Sequence, residues 1–165
     1  MSKMKATDVK ADEVKAWAEE RLAKQRLPLP KKPRGKSPEF EFPEDPDSLS
    51  SNKLGQLMLQ MAAFGAYAQR LHGLADSEFA LVEAEYKIKI SAAGIAVRER
   101  LGRVAADVVE SVVLGEDKTL GELYERRLQL QTVLTQLESR LKIYEGLGKA
   151  LSRELSRREM EVRAS

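Results

Sequence analysis

The chain has 165 residues, with 28 lysines and arginines against 26 aspartates and glutamates, one histidine and no cysteine. Thiolate metal sites, disulfides and cysteine nucleophiles are therefore excluded, and His72 alone cannot build a multi-histidine cluster. Charge interrupts every apolar run short of a membrane span or a signal-peptide core, so an intracellular, cytoplasmic protein is expected, while a net charge of +2 says nothing about nucleic acid until its distribution is read.

All six prolines, Pro28, Pro30, Pro33, Pro38, Pro43 and Pro46, fall within nineteen residues and divide the chain. Residues 1–26 place Val9, Val14, Trp17 and Leu22 near helical spacing, with Asp8 able to accept first-turn N–H bonds, which predicts an amphipathic helix. Residues 27–48, with φ set repeatedly by proline, predict an extended linker that begins basic at Lys31, Lys32, Arg34 and Lys36 and ends acidic. Residues 49–165 carry the helical text. Ser50 or Ser51 can cap a helix with Leu54, Leu57, Met58, Met61, Phe64, Ala68 and Leu71 on one stripe, closed at Gly73. Asp76 then caps a long helix whose stripe, Val82, Tyr86, Ile90, Ala93, Val97, Leu101, Val104, Val108 and Val112, alternates steps of four and three. The β-branched run Val108 to Val113 continues that stripe and is read as helix. Gly115 to Asp117 make a turn, Thr119 with Glu122 has capping-box spacing, and a second long helix follows through Leu120, Leu123, Leu130, Leu134, Leu137, Leu141, Tyr144, Leu151 and Leu155.

The predicted fold is all-α: an elongated antiparallel helical hairpin with an additional shorter helix, preceded by the amphipathic helix and the proline-rich linker. At about 1.5 Å per residue each long helix would exceed ~50 Å. Thin hairpins bury little surface alone, so a homo-oligomer is expected, with Ala92, Ala93, Gly94, Ala96, Gly102, Ala105 and Ala106 allowing close helix approach either within the hairpin or between copies.

No catalytic constellation emerges. Glu83, Glu85, Glu99, Asp107 and Glu110 lack the Glu-x-x-His partners of a helical di-metal site and read as a solvated face. His72 beside Gly73 suits a helix end, and no serine or threonine has a recognisable base or a GxSxG or Walker glycine pattern. No enzyme activity, cofactor, metal or small-molecule substrate is expected. Basic residues are more informative. Lys87 and Lys89 flank Tyr86, an aromatic and basic group of the type that holds single strands, although Tyr86 lies on the apolar stripe and equally suits core packing. Arg98, Arg100 and Arg103 follow on the same predicted helix. Arg153, Arg157 and Arg158 near the C-terminus can contact phosphate, or pair with Glu154, Glu159 and Glu161 and complement the helix dipole.

The helix ending near YAQRLHGL, the helix containing VEAEYKIKISAAG and the closing helix around LESRLKIYEGLGKALSRELSRR, covering residues 54–158, resemble the phage recombination mediators of the UvsY type. That resemblance implies a ring-forming helical protein that binds single-stranded DNA and loads a recombinase onto strands covered by single-strand-binding protein. In such proteins a basic stretch contacts DNA; Lys87 and Lys89 fall in it here, while Ser91, Ala92 and Ala93 stand where further basic residues would be expected. The expected function is thus a non-enzymatic, oligomeric, single-stranded-DNA-binding mediator, in a bacterial host cytoplasm if phage-encoded. The alternative is a coiled-coil structural or adaptor protein of a phage particle or scaffold that binds proteins only, docking a partner through the helix around Trp17.

Overall fold

The structure, a computed structural model, describes residues 10–24, 29–34, 43 and 46–164. It is all-α. Helix α1 spans Ala11–Ala23, a short 3-10 turn Pro46–Ser48 precedes α2 at Ser51–Leu101, and α3 (Ala106–Glu116) and α4 (Lys118–Ala164) complete the chain. Helices α2 and α4 pack against each other as a hairpin. Of the described part of the proline-rich stretch, residues 29–34 and Pro43 have neither helix nor strand, and its last three residues, Pro46–Ser48, form the 3-10 turn. Val9, Asp8 and Lys36 lie outside the described residues.

The long helices form because buried apolar positions recur every seven residues. On α2 these are Leu54, Met61, Ala68, Ala75 and Val82; on α4 Leu123, Leu137 and Leu151 are buried, with the half-buried Leu130 and Tyr144 between them. Ser50 starts α2, its Oγ accepting the Lys53 N–H at 3.2 Å. The expected stop at Gly73 does not occur. One helical glycine costs about 1 kcal/mol relative to alanine, and the stripe through Ala68, Ala75 and Val82 offsets it. Asp76 is therefore interior, and the Ser77 hydroxyl donates back to the Gly73 and Leu74 carbonyls at 3.0 and 2.9 Å.

The break falls instead at Gly102, whose φ of 75° is the left-handed conformation that glycine adopts without a Cβ clash; its N–H still donates to the Arg98 carbonyl at 2.9 Å. The shorter helix of the hairpin is accordingly α3, and the segment 54–71 expected to form it is continuous with residues 72–101 in α2. Restarting at Ala106 also changes which valines turn inward. Val109 and Val113 are buried while Val108 is exposed, whereas an unbroken helix would have buried Val108 and Val112. The Val108 to Val113 run is helical, as expected. Gly115 lies inside α3, and Asp117 rather than Thr119 caps α4: its Oδ1 accepts the N–H groups of Thr119 at 2.9 Å and Leu120 at 3.2 Å. Glu122 pairs with Lys118 instead.

The chain forms two compact units, Met1–Leu27 with Gly73–Leu134 and Pro28–His72 with Thr135–Ser165. In the first, Val82, Tyr86, Val97, Val109, Val113, Leu120 and Leu123 form the core together with Ala11 from α1. Gly94 lets α3 lie close on α2, since a Cβ there would stand 3.1 Å from Val109 Cγ1. In the second, Leu54, Met61 and Leu151 are the buried centre, flanked by Phe64 stacked on Tyr144 at 5.7 Å between ring centroids. A cleft of about 480 Å³ runs beside them, lined by Met58, Ala62, Gly65, Ala66, Leu141 and Gly148 among others.

Candidate functional site

The eight basic residues singled out from the sequence separate into those whose charge is already engaged and those whose charge is not. Lys87 Nζ lies 3.2 Å from Glu83 Oε1, and Lys89 Nζ lies 2.6 Å from Glu85 Oε1, both one helical turn apart on α2. Arg100 reaches Glu116 of α3 at 2.6 Å. Arg157 holds Glu154, Glu161 and Asp47, and Arg158 holds Glu154 at 2.6 Å while donating to the Leu49 and Asp47 carbonyls. These two guanidiniums hold the Glu154 carboxyl down to about 2, from an ordinary value of 4.5. Arg98, Arg103 and Arg153 make no ion pair with described residues.

Helical geometry further divides the set on α2. At about 100° per residue, Lys87 and Arg98 share one face, and Lys89 and Arg100 lie on the opposite one. Lys87 and Arg98 line a cleft of about 380 Å³ with Ser91, Ile90, Glu110 and Arg127, while Arg100 lines a different one with Lys118 and Glu116. Arg127 of α4, which is not among those eight, brings a third cation to the first cleft. It pairs with Glu83 at 3.4 Å, its guanidinium stands 5.7 Å over the Tyr86 ring, and its buried Nε has no hydrogen-bond partner.

Tyr86 is core. It is 4% exposed, lies 5.7 Å from Tyr124 between centroids and donates its hydroxyl to Glu110, so its ring is not offered to a base. Burial first, and then the bond to Glu110, raise its pKa above the usual tyrosine value.

The carboxylates expected to form a solvated face are in large part structural partners. Glu83 and Glu110 serve as described, and Glu85 is buried, accepting the Ala11 N–H at 2.9 Å. Burial pushes the Glu85 carboxyl up, but the bonds from Lys89 and the Ala11 N–H outweigh it and leave its pKa below the ordinary value. Glu99 and Asp107 are exposed. His72 does not cap a helix end: it is interior to α2, its Nε2 3.7 Å from Glu138 Oε1. Among the described residues no group of three metal-ligating side chains comes together, and no helix is long and apolar enough to cross a membrane.

On α1 the apolar stripe read from the sequence is mostly uncovered. Trp17 is 57% and Leu22 64% exposed, with the Arg21 guanidinium 5.6 Å over the Trp17 ring. What attaches α1 is charge, through pairs that no local spacing announces. Lys15 Nζ meets Glu78 at 2.5 Å, and Arg126 bridges Asp12 and Glu78 at 2.9 Å each. The Lys15 and Arg126 bonds hold the Glu78 carboxyl below its ordinary value, and Arg126 does the same to Asp12.

Comparison with protein-family models, with curated proteins and with solved structures finds no match to this chain.

Proposed function

We propose that this chain is a non-enzymatic helical assembly protein whose work is to hold other protein chains, copies of itself included. The observation that carries this is the apolar surface left open on its helices: Trp17 and Leu22 on α1, Leu59 (70% exposed) on α2 and Ile143 on α4 all face solvent. Meanwhile five of the eight basic residues that suggested DNA binding are occupied by carboxylates of the same chain. Large exposed apolar side chains on helices are what helix-in-groove partners and subunit contacts cover, and tryptophan is enriched among the residues that dominate such contacts.

The test is mass in solution by light scattering, with and without a short oligonucleotide. The expected result is an oligomer at micromolar concentration whose mass does not change with DNA, and which Leu59→Ser with Ile143→Ser weakens. Burying a leucine or isoleucine side chain is worth about 1.5–3 kcal/mol, so the paired change should lower association at least tenfold. A monomer at that concentration refutes the self-association, and a variant oligomer as stable as the parent refutes this surface.

Single-stranded DNA binding is the second reading, supported by the cleft that gathers Lys87, Arg98 and Arg127 and by Arg103 and Arg153, which have no ion-pair partner among the described residues. It requires oligonucleotide retention on a filter at low salt, lost steeply as salt rises and abolished by charge reversal at Lys87, Lys89, Arg98 and Arg100 with assembly intact. Unchanged retention in that variant excludes these residues as the DNA contacts. Loading of a recombinase past single-strand-binding protein belongs to this reading and stands or falls with it.

A further inference from the structure

Helix α1 is fastened to its unit in an unusual way for a helix that carries a tryptophan. Its one buried residue is Ala11, at its first position, and its large apolar side chains Trp17 and Leu22 are exposed. Its fastening is polar: Lys15 to Glu78, Asp12 to Arg126, Arg126 to Glu78, and the Ala11 N–H to the buried carboxylate of Glu85. The last contact is a cap supplied from another helix. The residue before α1, Lys10, makes no side-chain cap bond of its own, so Glu85 of α2 satisfies an N–H and meets the positive end of the α1 dipole.

A thirteen-residue helix without its own cap is marginal in water. The order of α1 therefore depends on its dock, and the dock is made mainly of charges that salt can screen. The two long helices depend on it little, since their stripes are buried by each other and by α3.

We propose that Glu78, Glu85 and Arg126 form a charge-selected dock for the N-terminal end of a short helix, and that α1 is its releasable occupant. The dock reads three features in order: a free helix N-terminal N–H facing Glu85, an acidic side chain at the next position facing Arg126, and a basic side chain one turn later facing Glu78. Ala11, Asp12 and Lys15 supply them here.

The experiment uses the full chain and follows amide hydrogen exchange in α1, with Trp17 fluorescence anisotropy as a second signal on the same helix. Lys15→Glu places like charges at Glu78 without touching the core, and Lys15→Gln only removes the pair. In Lys15→Glu, α1 amides should exchange roughly tenfold faster, equivalent to about 1.4 kcal/mol, with a smaller acceleration in Lys15→Gln, while protection of α2 between residues 79 and 100 stays as in the parent. In the parent, raising NaCl to about 1 M, where the screening length falls to ~3 Å, should accelerate α1 in the same direction and lower the Trp17 anisotropy. Unchanged α1 exchange in Lys15→Glu overturns the dock. Equal acceleration of α1 and α2 overturns releasability, because α1 would then be part of one cooperative core. Neither readout involves a second protein or DNA, so failure of the assembly reading leaves this result to stand by itself.

Discussion

Two glycines of α2 should respond in opposite directions to the same substitution. Gly73 has nothing within 4 Å of the position a Cβ would take, so Gly73→Ala gains the helix-propensity difference of about 1 kcal/mol without a steric cost. At Gly94 the same gain meets Val109 Cγ1 at 3.1 Å, tighter than ordinary carbon contact. Val109 cannot readily move aside, being buried beside Val97 and Val113 and, as a β-branched residue in a helix, held close to one χ1 rotamer. Overpacking of this kind costs about 1–3 kcal/mol, so Gly94→Ala is expected to destabilise the fold by about 1 kcal/mol net. Val109→Ala alone should cost about 2 kcal/mol, from two lost methyl groups at ~0.8 kcal/mol each plus the cavity they leave. In the double variant the obstructing methyl is gone, so the loss should fall short of the sum of the two single losses by at least 1 kcal/mol. The assay is urea unfolding followed by helical circular dichroism on all four variants. Additivity within about 0.5 kcal/mol, or a Gly94→Ala protein as stabilised as Gly73→Ala, would refute the packing of α3 on Gly94.

Asp117→Ala removes the side chain that accepts the Thr119 and Leu120 N–H groups and should cost about 1 kcal/mol in the same assay, whereas Thr119→Ala should cost little. Gly102→Ala forces a Cβ onto a φ of 75° and should cost about 1–2 kcal/mol, seen as a lower urea midpoint. Glu154 should titrate near 2, and Arg158→Gln should move it back toward the ordinary 4.5, as read by the carboxyl carbon shift in NMR. Because its folded-state pKa is depressed, the ion pairs it makes support the folded chain above pH 4.5 and are lost as the pH falls toward 2.

The long helices were readable because their stripe is a property of one chain segment at a time. The steps through Leu123, Leu130, Leu137, Tyr144 and Leu151 specify a buried face whatever lies opposite. The choice between Gly73 and Gly102 as the stopping point is not local. It depends on whether α3 must turn back onto Gly94, and nothing within a few residues of either glycine encodes that. The same distinction explains the basic residues. Lys87 with Glu83 and Lys89 with Glu85 are pairs four apart, open to reading from spacing. Arg126 with Asp12, 114 residues distant, is visible only once α1 is placed, which is why Arg126, Glu78 and Asp12 went unnoticed in the sequence.

The seven-residue recurrence on α2 and α4 has a cost in uniqueness. Two stripes with the same period can be slid past each other by one repeat and still cover apolar side chains with apolar side chains, giving several alignments of similar energy. Non-repeating contacts work against that degeneracy: Phe64 stacks its ring on Tyr144, and Val109 lies against the bare backbone of Gly94. Each unit thus carries an internal ruler mark, and erasing one should leave helix content intact while allowing the paired rods to settle in more than one phase.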